Sequence, residues 1–247
     1  MERTDVRVGT AGWKIPAPVR ERFAGKGTHL QRYAMRFSCV EINSSFYRPH
    51  RPSTYARWAA SVPDDFRFAL KVPKEITHRL RLADAIGPLE QFLAESAPLG
   101  EKRAVVLVQL PPSFAYDADL VAAFFTDFRA RYAGLIACEP RHPTWFTADV
   151  EAALARLQVA RVAADPAVVP QAAEPGGWGG FAYYRLHGSP RTYYSGYDDA
   201  TLREVAERLG TGPHPAWCIF DNTAMDAAAA NALDLTELFV GSRTPGR

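Results

Sequence analysis

The sequence predicts an α/β fold, a single (β/α)8 TIM-like barrel with its sixth helix short or absent. Three observations predict it. Eight short apolar segments recur along 247 residues, the size and rhythm of one such barrel. Helix-length stretches separate most of them. Seven segments (39–43, 66–71, 104–109, 135–139, 159–165, 182–187 and 216–221) end on Asn43, Lys71, Gln109, Glu139, Asp165, His187 and Asp221, while the eighth, 6–12, runs into Trp13. In this fold the C-terminal strand ends converge on one mouth, where chemistry sits.

The elements follow in order. After strand 1 (6–12), a loop and a helix occupy roughly 19–36. Strand 2 carries Glu41 and Asn43, and Pro52 starts a helix that continues to Ser61. Strand 3 precedes helical apolar spacing over 84–99. Strand 4 stops against Pro111-Pro112, which cannot extend a ladder. Residues 117–132 form an amphipathic helix with Leu120, Phe124, Phe125 and Phe128 on one side. Strand 5 ends at Glu139-Pro140, a helix covers 149–157, and strand 6 ends at Asp165-Pro166. The stretch 168–180 is rich in Pro, Gly and Ala and carries the loop signal Pro175-Gly176-Gly177, which leaves little room for a sixth helix. Strand 7, a helix over 199–209, strand 8 and a helix over 225–240 complete the barrel, and the tail 241–247 frays. With no repeat or linker, 1–247 reads as one domain.

Side chains switch faces at every residue of a strand. Placing Glu41, Lys71, Gln109, Glu139, Asp165, His187 and Asp221 inward leaves an apolar opposite face for the outer helices to cover. That face comprises Val40, Ile42, Phe68, Leu70, Val106, Val108, Ile136, Cys138, Val162, Ala164, Tyr184, Leu186, Cys218 and Phe220. The same parity serves seven strands, and Arg185 points inward one layer below His187.

Composition narrows the function classes. The apolar fraction of 47% supports a sizeable core. A net charge of +2 is too mild to argue for nucleic acid by itself. Cys39, Cys138 and Cys218 lie among apolar neighbours and read as buried free thiols, not as disulfides or metal ligands. The N-terminal MERTDVRVGT has no apolar signal core and no run approaches a membrane span, so a cytoplasmic, soluble protein is expected. The oligomeric state is open.

The mouth so read holds the carboxylates Glu41, Glu139, Asp165 and Asp221 beside Lys71, Arg185, His187, Gln109, Asn43 and Asn222. Lys74, His78, Arg141, His142 and Arg191 lie just beyond the strand ends, with Trp13, Phe46, Tyr47, Trp145, Tyr193 and Tyr194 interleaved. Carboxylates beside cations in a cleft shift one another's pKa, as general acid–base chemistry requires. The alternative is an ion-pair network that holds the barrel together. Arg141, Arg185 and Arg191 could clamp a phosphate or carboxylate, with Lys71 adding a point charge. Gly188-Ser189 and Asn222-Thr223 follow strands 7 and 8, where barrels frequently hold phosphate. Lys71 could also form a Schiff base. Glu41, Glu139, Asp165, His187 and Asp221 are competent ligands for a divalent ion, but no close-spaced metal motif is present, and no cofactor fingerprint is evident. Trp58, Trp178 and Trp217 are assigned to packing, and His29, His50 and His214 to the surface.

Several runs together resemble the DUF72, or YecE-like, family: GTAGW (9–13), VEINSSFYRP (40–49), FALKVPKEITH (68–78), LVQLPPSF (107–114), CEPRHPTWF (138–146), YYRLHG (183–188) and FDNT (220–223). The resemblance spans nearly the whole chain and implies a TIM-like barrel. It also implies that Glu41, Asn43, Lys71, His78, Gln109, Glu139, Arg141, His142, His187, Gly188 and Asn222 belong to recurrent motifs of a family without an established function. Its barrel is similar to the endonuclease IV and xylose isomerase type, an analogy of fold alone.

The leading expectation is an enzyme of hydrolase, lyase or isomerase type acting on a small anionic, phosphorylated or sugar-like metabolite. Glu41, Lys71, Glu139, His187 and Asp221 would carry the chemistry. Trp13, Asn43, Tyr47, His78, Gln109, Arg141, His142, Trp145, Asp165, Arg185, Arg191 and Asn222 would hold the ligand. A nucleic-acid binder or endonuclease IV-like phosphodiester hydrolase is the second expectation, and a non-catalytic ligand-sensing or partner-binding protein the third.

Overall fold

The alternation just described accounts for most of what the computed structural model of the chain contains. It describes residues 6–213 and 215–241; the predicted surface residue His214 and the tail beyond 241 lie outside the described residues. Among the described residues there are ten strands: β1 (Val6–Thr10), β2 (Cys39–Ile42), β3 (Arg67–Lys71), β4 (Arg103–Gln109), β5 (Leu135–Glu139), β6 (Val159–Arg161), β7 (Ala163–Asp165), β8 (Gly176–Gly177), β9 (Ala182–Leu186) and β10 (Ala216–Phe220). Seven α-helices accompany them: α1 (His29–Ala34), α2 (Pro52–Ala60), α3 (Ile86–Ser96), α4 (Ala118–Arg131), α5 (Ala148–Arg156), α6 (Asp199–Thr211) and α7 (Ala227–Gly241).

The strands form two arcs, β1-β10-β9-β7 and β2-β3-β4-β5-β6-β8, in which every pair except β6–β8 is parallel. At one seam β1 meets β2 through a parallel bridge between Ala11 and Glu41 and the bond Gly12 N–H to Glu41 O, 2.8 Å. Gly9 makes this approach feasible, because a Cβ there would lie 2.5 Å from Cys39 O. At the other seam the sixth strand changes arc, with β6 pairing β5 and β7 pairing β9. The result is the TIM-like arrangement that the sequence predicts.

The interior is packed. Tyr183 and Trp217 stack at 6.1 Å and 18°, and Phe181 lies beside Tyr183. Across from these large rings the other arc presents Ala69, Ala137 and Ala160 with Val105 and Leu107. Large against small fills the barrel floor and leaves the polar layer at the C-terminal strand ends. Outside, Phe124, Phe125 and Phe128 of α4 are buried, each contributing roughly 1.5–3 kcal/mol.

The structure departs from expectation in four places. The first helix is split into a 3-10 turn (Ala17–Arg22) and α1, because Gly25 and Gly27 take positive φ and Thr28 opens a new helix through a capping box with Gln31. The sixth helix is reduced, as expected, to a 3-10 turn (Pro170–Ala173), after which β8 forms an antiparallel strand that the sequence did not signal. Strand 6 has the opposite parity: Ala160 and Val162 belong to the interior cluster while Val159 and Ala163 belong to the outer core, so Asp165 faces outward. His50, expected at the surface, is half-buried and packs edge-on against Tyr55 and Trp58.

Candidate active site at the barrel mouth

The mouth is organised around Arg185, which β9 places inward and which is 0% exposed. Its guanidinium grips Glu41 in a fork, Nε to Oε2 at 3.0 Å and Nη2 to Oε1 at 2.7 Å. Nη1 donates to Glu139 Oε2 at 2.6 Å and Nη2 also to Asp221 Oδ2 at 2.9 Å. Tyr183 O–H donates to Glu41 Oε2 at 2.9 Å. Three carboxylates from β2, β5 and the end of β10 are thus tied to one cation below the solvent line. Burial opposes the guanidinium's charge, but Glu41, Glu139 and Asp221 outweigh it and hold its pKa well above the usual value. Burial and the Glu41 charge together push the Tyr183 phenol well up, so it remains a donor.

The next layer begins with His187. Nδ1 lies 3.1 Å from Asp221 Oδ2, Nε2 2.8 Å from Glu139 Oε1, and Arg141 Nη2 3.0 Å from Nε2. A neutral ring donates Nδ1–H to Asp221 and accepts from Arg141; an imidazolium donates to both carboxylates. Arg141 also donates to Glu139 Oε1 from Nε at 3.2 Å and from Nη2 at 2.9 Å, and its Nη1 donates to Tyr193 O–H at 3.3 Å. Burial would raise the Glu139 carboxyl, but Arg141, Arg185 and His187 prevail and hold it well below the usual range. Asp221 is likewise lowered, by Arg185 and His187 against its own burial. Tyr193 has a positive φ of 68°, uncommon for a side chain of this size, and its N–H bonds the His187 carbonyl while its ring meets the imidazole edge-on at 5.6 Å.

Lys71 stands apart from this network. It is 6% exposed, yet its ammonium makes no hydrogen bond among the described residues and instead lies 4.2 Å from the centre of the Phe46 ring. Burial, and then Arg185, lower its pKa to about 8 despite the carboxylates below. His78 meets the same Phe46 ring edge-on at 5.0 Å, and its Nδ1 lies 2.8 Å from Thr77 Oγ1. It sits on a π-helical turn (Glu75–Arg79) directly after β3, a local irregularity often found at functional sites. Burial, Lys71 and Arg141 lower the His78 pKa, which favours a neutral ring.

The other expected residues divide. Gln109 donates Nε2–H to the Leu110 carbonyl at 2.9 Å and borders the mouth. Asn43 and Asn222 each hold a buried side-chain carbonyl without a hydrogen-bond partner among the described residues. Asn222 Nδ2 ties Ser195 O and Asn231 Oδ1, fixing the loop after β9. Tyr47 is exposed and lines, with Phe46, Arg48, Lys74 and Phe92, a cleft of about 260 Å³ beside the mouth. Trp13 packs edge-on against Trp58. Arg191 is exposed and stacks 3.9 Å above the Tyr194 ring.

Five placements correct the sequence reading. Asp165 accepts the Tyr197 O–H at 2.8 Å on the outer side of its strand, away from the mouth. Trp145 is 0% exposed with Nε1–H bonded to Phe114 O at 2.9 Å, so it serves packing. His142 caps the turn Pro143–Trp145, accepting Thr144 N–H at Nδ1. Arg185 is saturated by carboxylates and cannot also clamp an anion, and the Gly188 N–H, expected to face phosphate, is committed to Tyr197 O–H at 2.8 Å. Among the described residues no group of three His, Cys, Asp or Glu is arranged to hold a metal; the carboxylates converge on the guanidinium instead. The hydrogen-bonding parts of Tyr183, Tyr193 and Tyr197 escaped the sequence reading, which saw aromatic residues without their partners.

Residues 7–245 match the family described as "Protein of unknown function DUF72". The chain belongs to the DUF72 family. It is 33% identical over 109 residues to the UPF0759 protein YecE of Escherichia coli K12, covering 44% of this chain and 39% of YecE. It is 26% identical over 150 residues to the UPF0759 protein YunF of Bacillus subtilis 168, covering 58% and 52%. The matched segments thus span between two fifths and about half of these relatives. Crystal structures of DUF72 family proteins from Enterococcus faecalis V583 (TM-score 0.77, 21% identity, 95% of each chain) and Thermotoga maritima MSB8 (TM-score 0.74, 24% identity, 95% and 99%) share the fold. Among the described residues of this member, no helix is long and apolar enough to cross a membrane.

Proposed function

We propose that this DUF72 protein is an enzyme acting on a small anionic, phosphorylated or sugar-like metabolite at the barrel mouth. The observation that carries the reading is the placement of Lys71, without a hydrogen-bond partner among the described residues, above three carboxylates whose hydrogen bonds are already taken up by Arg185. A buried cation left unpaired is costly, and an anionic ligand would offset that cost. Arg141 supplies a guanidinium that is held in place by Glu139 and Tyr193. The unsatisfied carbonyls of Asn43 and Asn222 suit ligand hydroxyls. In this reading Lys71 and His78 handle the reacting centre, His187 moves protons between Asp221 and Glu139, and Glu41 with Arg185 positions the layer above.

Thermal shift with inorganic phosphate, glucose 6-phosphate, neutral sugars and short DNA tests the proposal. A ligand at about 100 times its Kd adds about 2.7 kcal/mol, a shift of several degrees. Stabilisation by the phosphates that disappears in Arg141→Ala supports the metabolite reading. A response to DNA alone, falling steeply with salt, would replace it with the nucleic-acid reading. The commitment of Glu41 and Glu139 to Arg185 favours a ligand-sensing role as the second reading, in which mouth ligands stabilise the fold and no turnover is found.

A further inference from the structure

We infer that Lys71 is a nucleophilic amine that captures a carbonyl-bearing ligand as an imine, so that the metabolite proposed above is an aldehyde or ketone. The inference rests on that reading for the anionic part of the ligand only. Its basis is geometric. Lys71 sits at the C-terminal end of β3, points into the mouth layer, and is 6% exposed. Every other cation of that layer is spoken for: Arg185 by three carboxylates, Arg141 by Glu139 and Tyr193. Lys71 has no hydrogen bond among the described residues, only the Phe46 ring. An ammonium placed for structure would be expected to donate to carbonyls, as Lys102 does here, with Nζ bonded to Ala59 O and Val62 O at 2.9 Å. The low-polarity contact and the neighbouring Arg185 favour the uncharged amine, the form that attacks carbonyls.

The step balances without a co-reactant. The Lys71 nitrogen lone pair forms a bond to the carbonyl carbon as the carbonyl π pair moves to oxygen. One proton passes from nitrogen to that oxygen and gives the carbinolamine; a second is delivered to the hydroxyl, which leaves as water while the nitrogen lone pair forms the carbon–nitrogen double bond, and the remaining N–H proton replaces the one delivered, so both amine hydrogens end in the water. His78, with Nδ1 on Thr77 and Nε2 without a partner among the described residues, is the neighbouring ring able to carry that proton.

The sequence supplies its own controls, since the chain has five lysines, of which Lys14, Lys26, Lys74 and Lys102 lie elsewhere. The full chain is incubated at pH 7.5 with glyceraldehyde 3-phosphate or with neutral glyceraldehyde, then treated with borohydride, whose hydride reduces the imine to a stable secondary amine. Peptide mass mapping locates the label. Label on Lys71 exceeding that on any other lysine by roughly tenfold supports the inference, because lowering an amine pKa multiplies its neutral fraction at this pH. Label spread evenly over the five lysines, or absent from Lys71, overturns it. Lys71→Arg keeps a cation and should lose the label; if that variant fails to fold, the wild-type map still decides. Phosphate stabilisation without label at Lys71 leaves the anion reading standing and removes the imine. Equal labelling by both probes, unchanged in Arg141→Ala, keeps the imine and removes the anion reading.

Discussion

Replacing Lys71 by Met should stabilise the protein, and by an amount that depends on pH. The buried lysine drops from a pKa of 10.5 to about 8. That difference corresponds to about 3 kcal/mol of cost for carrying the charged form in the folded state. Folding lowers the proton affinity, so between about pH 8 and pH 10.5 the unfolded chain binds more protons and stability rises with pH. At pH 7 the full cost of about 3 kcal/mol is present; at pH 9.5 the same linkage leaves about 1 kcal/mol. Methionine is unbranched and nearly isosteric, carries no charge, and places its sulfur against the Phe46 ring. Urea unfolding of wild type and Lys71→Met at both pH values measures the difference, with contributions from the other titrating groups cancelling between the two. The gain should shrink by about 2 kcal/mol from pH 7 to pH 9.5. A gain that does not vary with pH, or a loss at pH 7, would refute the view of Lys71 as a strained, unpaired cation. A natural chain that retains such a residue exchanges stability for function.

Arg185→Met should destabilise by roughly 3–5 kcal/mol at pH 7, because Glu41, Glu139 and Asp221 would be left buried without their cation; chemical denaturation reads this, and a loss below 1 kcal/mol would contradict it. The lowered carboxyls of Glu139 and Asp221 contribute stability that is present above their ordinary values of 4.5 and 3.8 and is lost as pH falls below them. Glu139→Gln should therefore flatten the acid limb of a stability-versus-pH curve, and an unchanged limb would count against the network. Asp165→Ala should cost roughly 0.5–1.5 kcal/mol by removing the carboxylate acceptor of the Tyr197 hydroxyl, which keeps the Gly188 N–H and the residue 165 carbonyl, while leaving phosphate-induced stabilisation intact; loss of that ligand response would return Asp165 to the mouth.

Much of the architecture was legible because it is written in local periodicity. The parity read in all seven strand segments holds in six of them. Strand 6 departs from it, for a physical reason. Val159, Ala160, Val162, Ala163 and Ala164 put apolar residues on both faces, and the charged Arg161 shares a face with Asp165, so alternation could not tell the inner face from the outer and Asp165 was placed on the wrong side. The glycines at 25 and 27 were visible, but their power to cut a helix depends on backbone angles that only the fold imposes.

The candidate site divides in the same way. By itself the sequence determined which side chains reach the C-terminal end of the barrel, since that follows from a two-residue period along each strand. Partnership was decided by the tertiary structure. Arg185 and Glu41 are separated by 144 residues, and whether their charges pair, repel or face a ligand depends on strand order and register across the barrel. That geometry turned a presumed anion clamp into the ion-paired floor of the site. It enclosed Trp145 in the core through its bond to Phe114 and left Lys71 as the buried cation with only an aromatic face beside it. A chain pattern encodes faces; hydrogen bonds and pKa values depend on distances of 3–5 Å between residues remote in sequence, and those exist only once the barrel has formed.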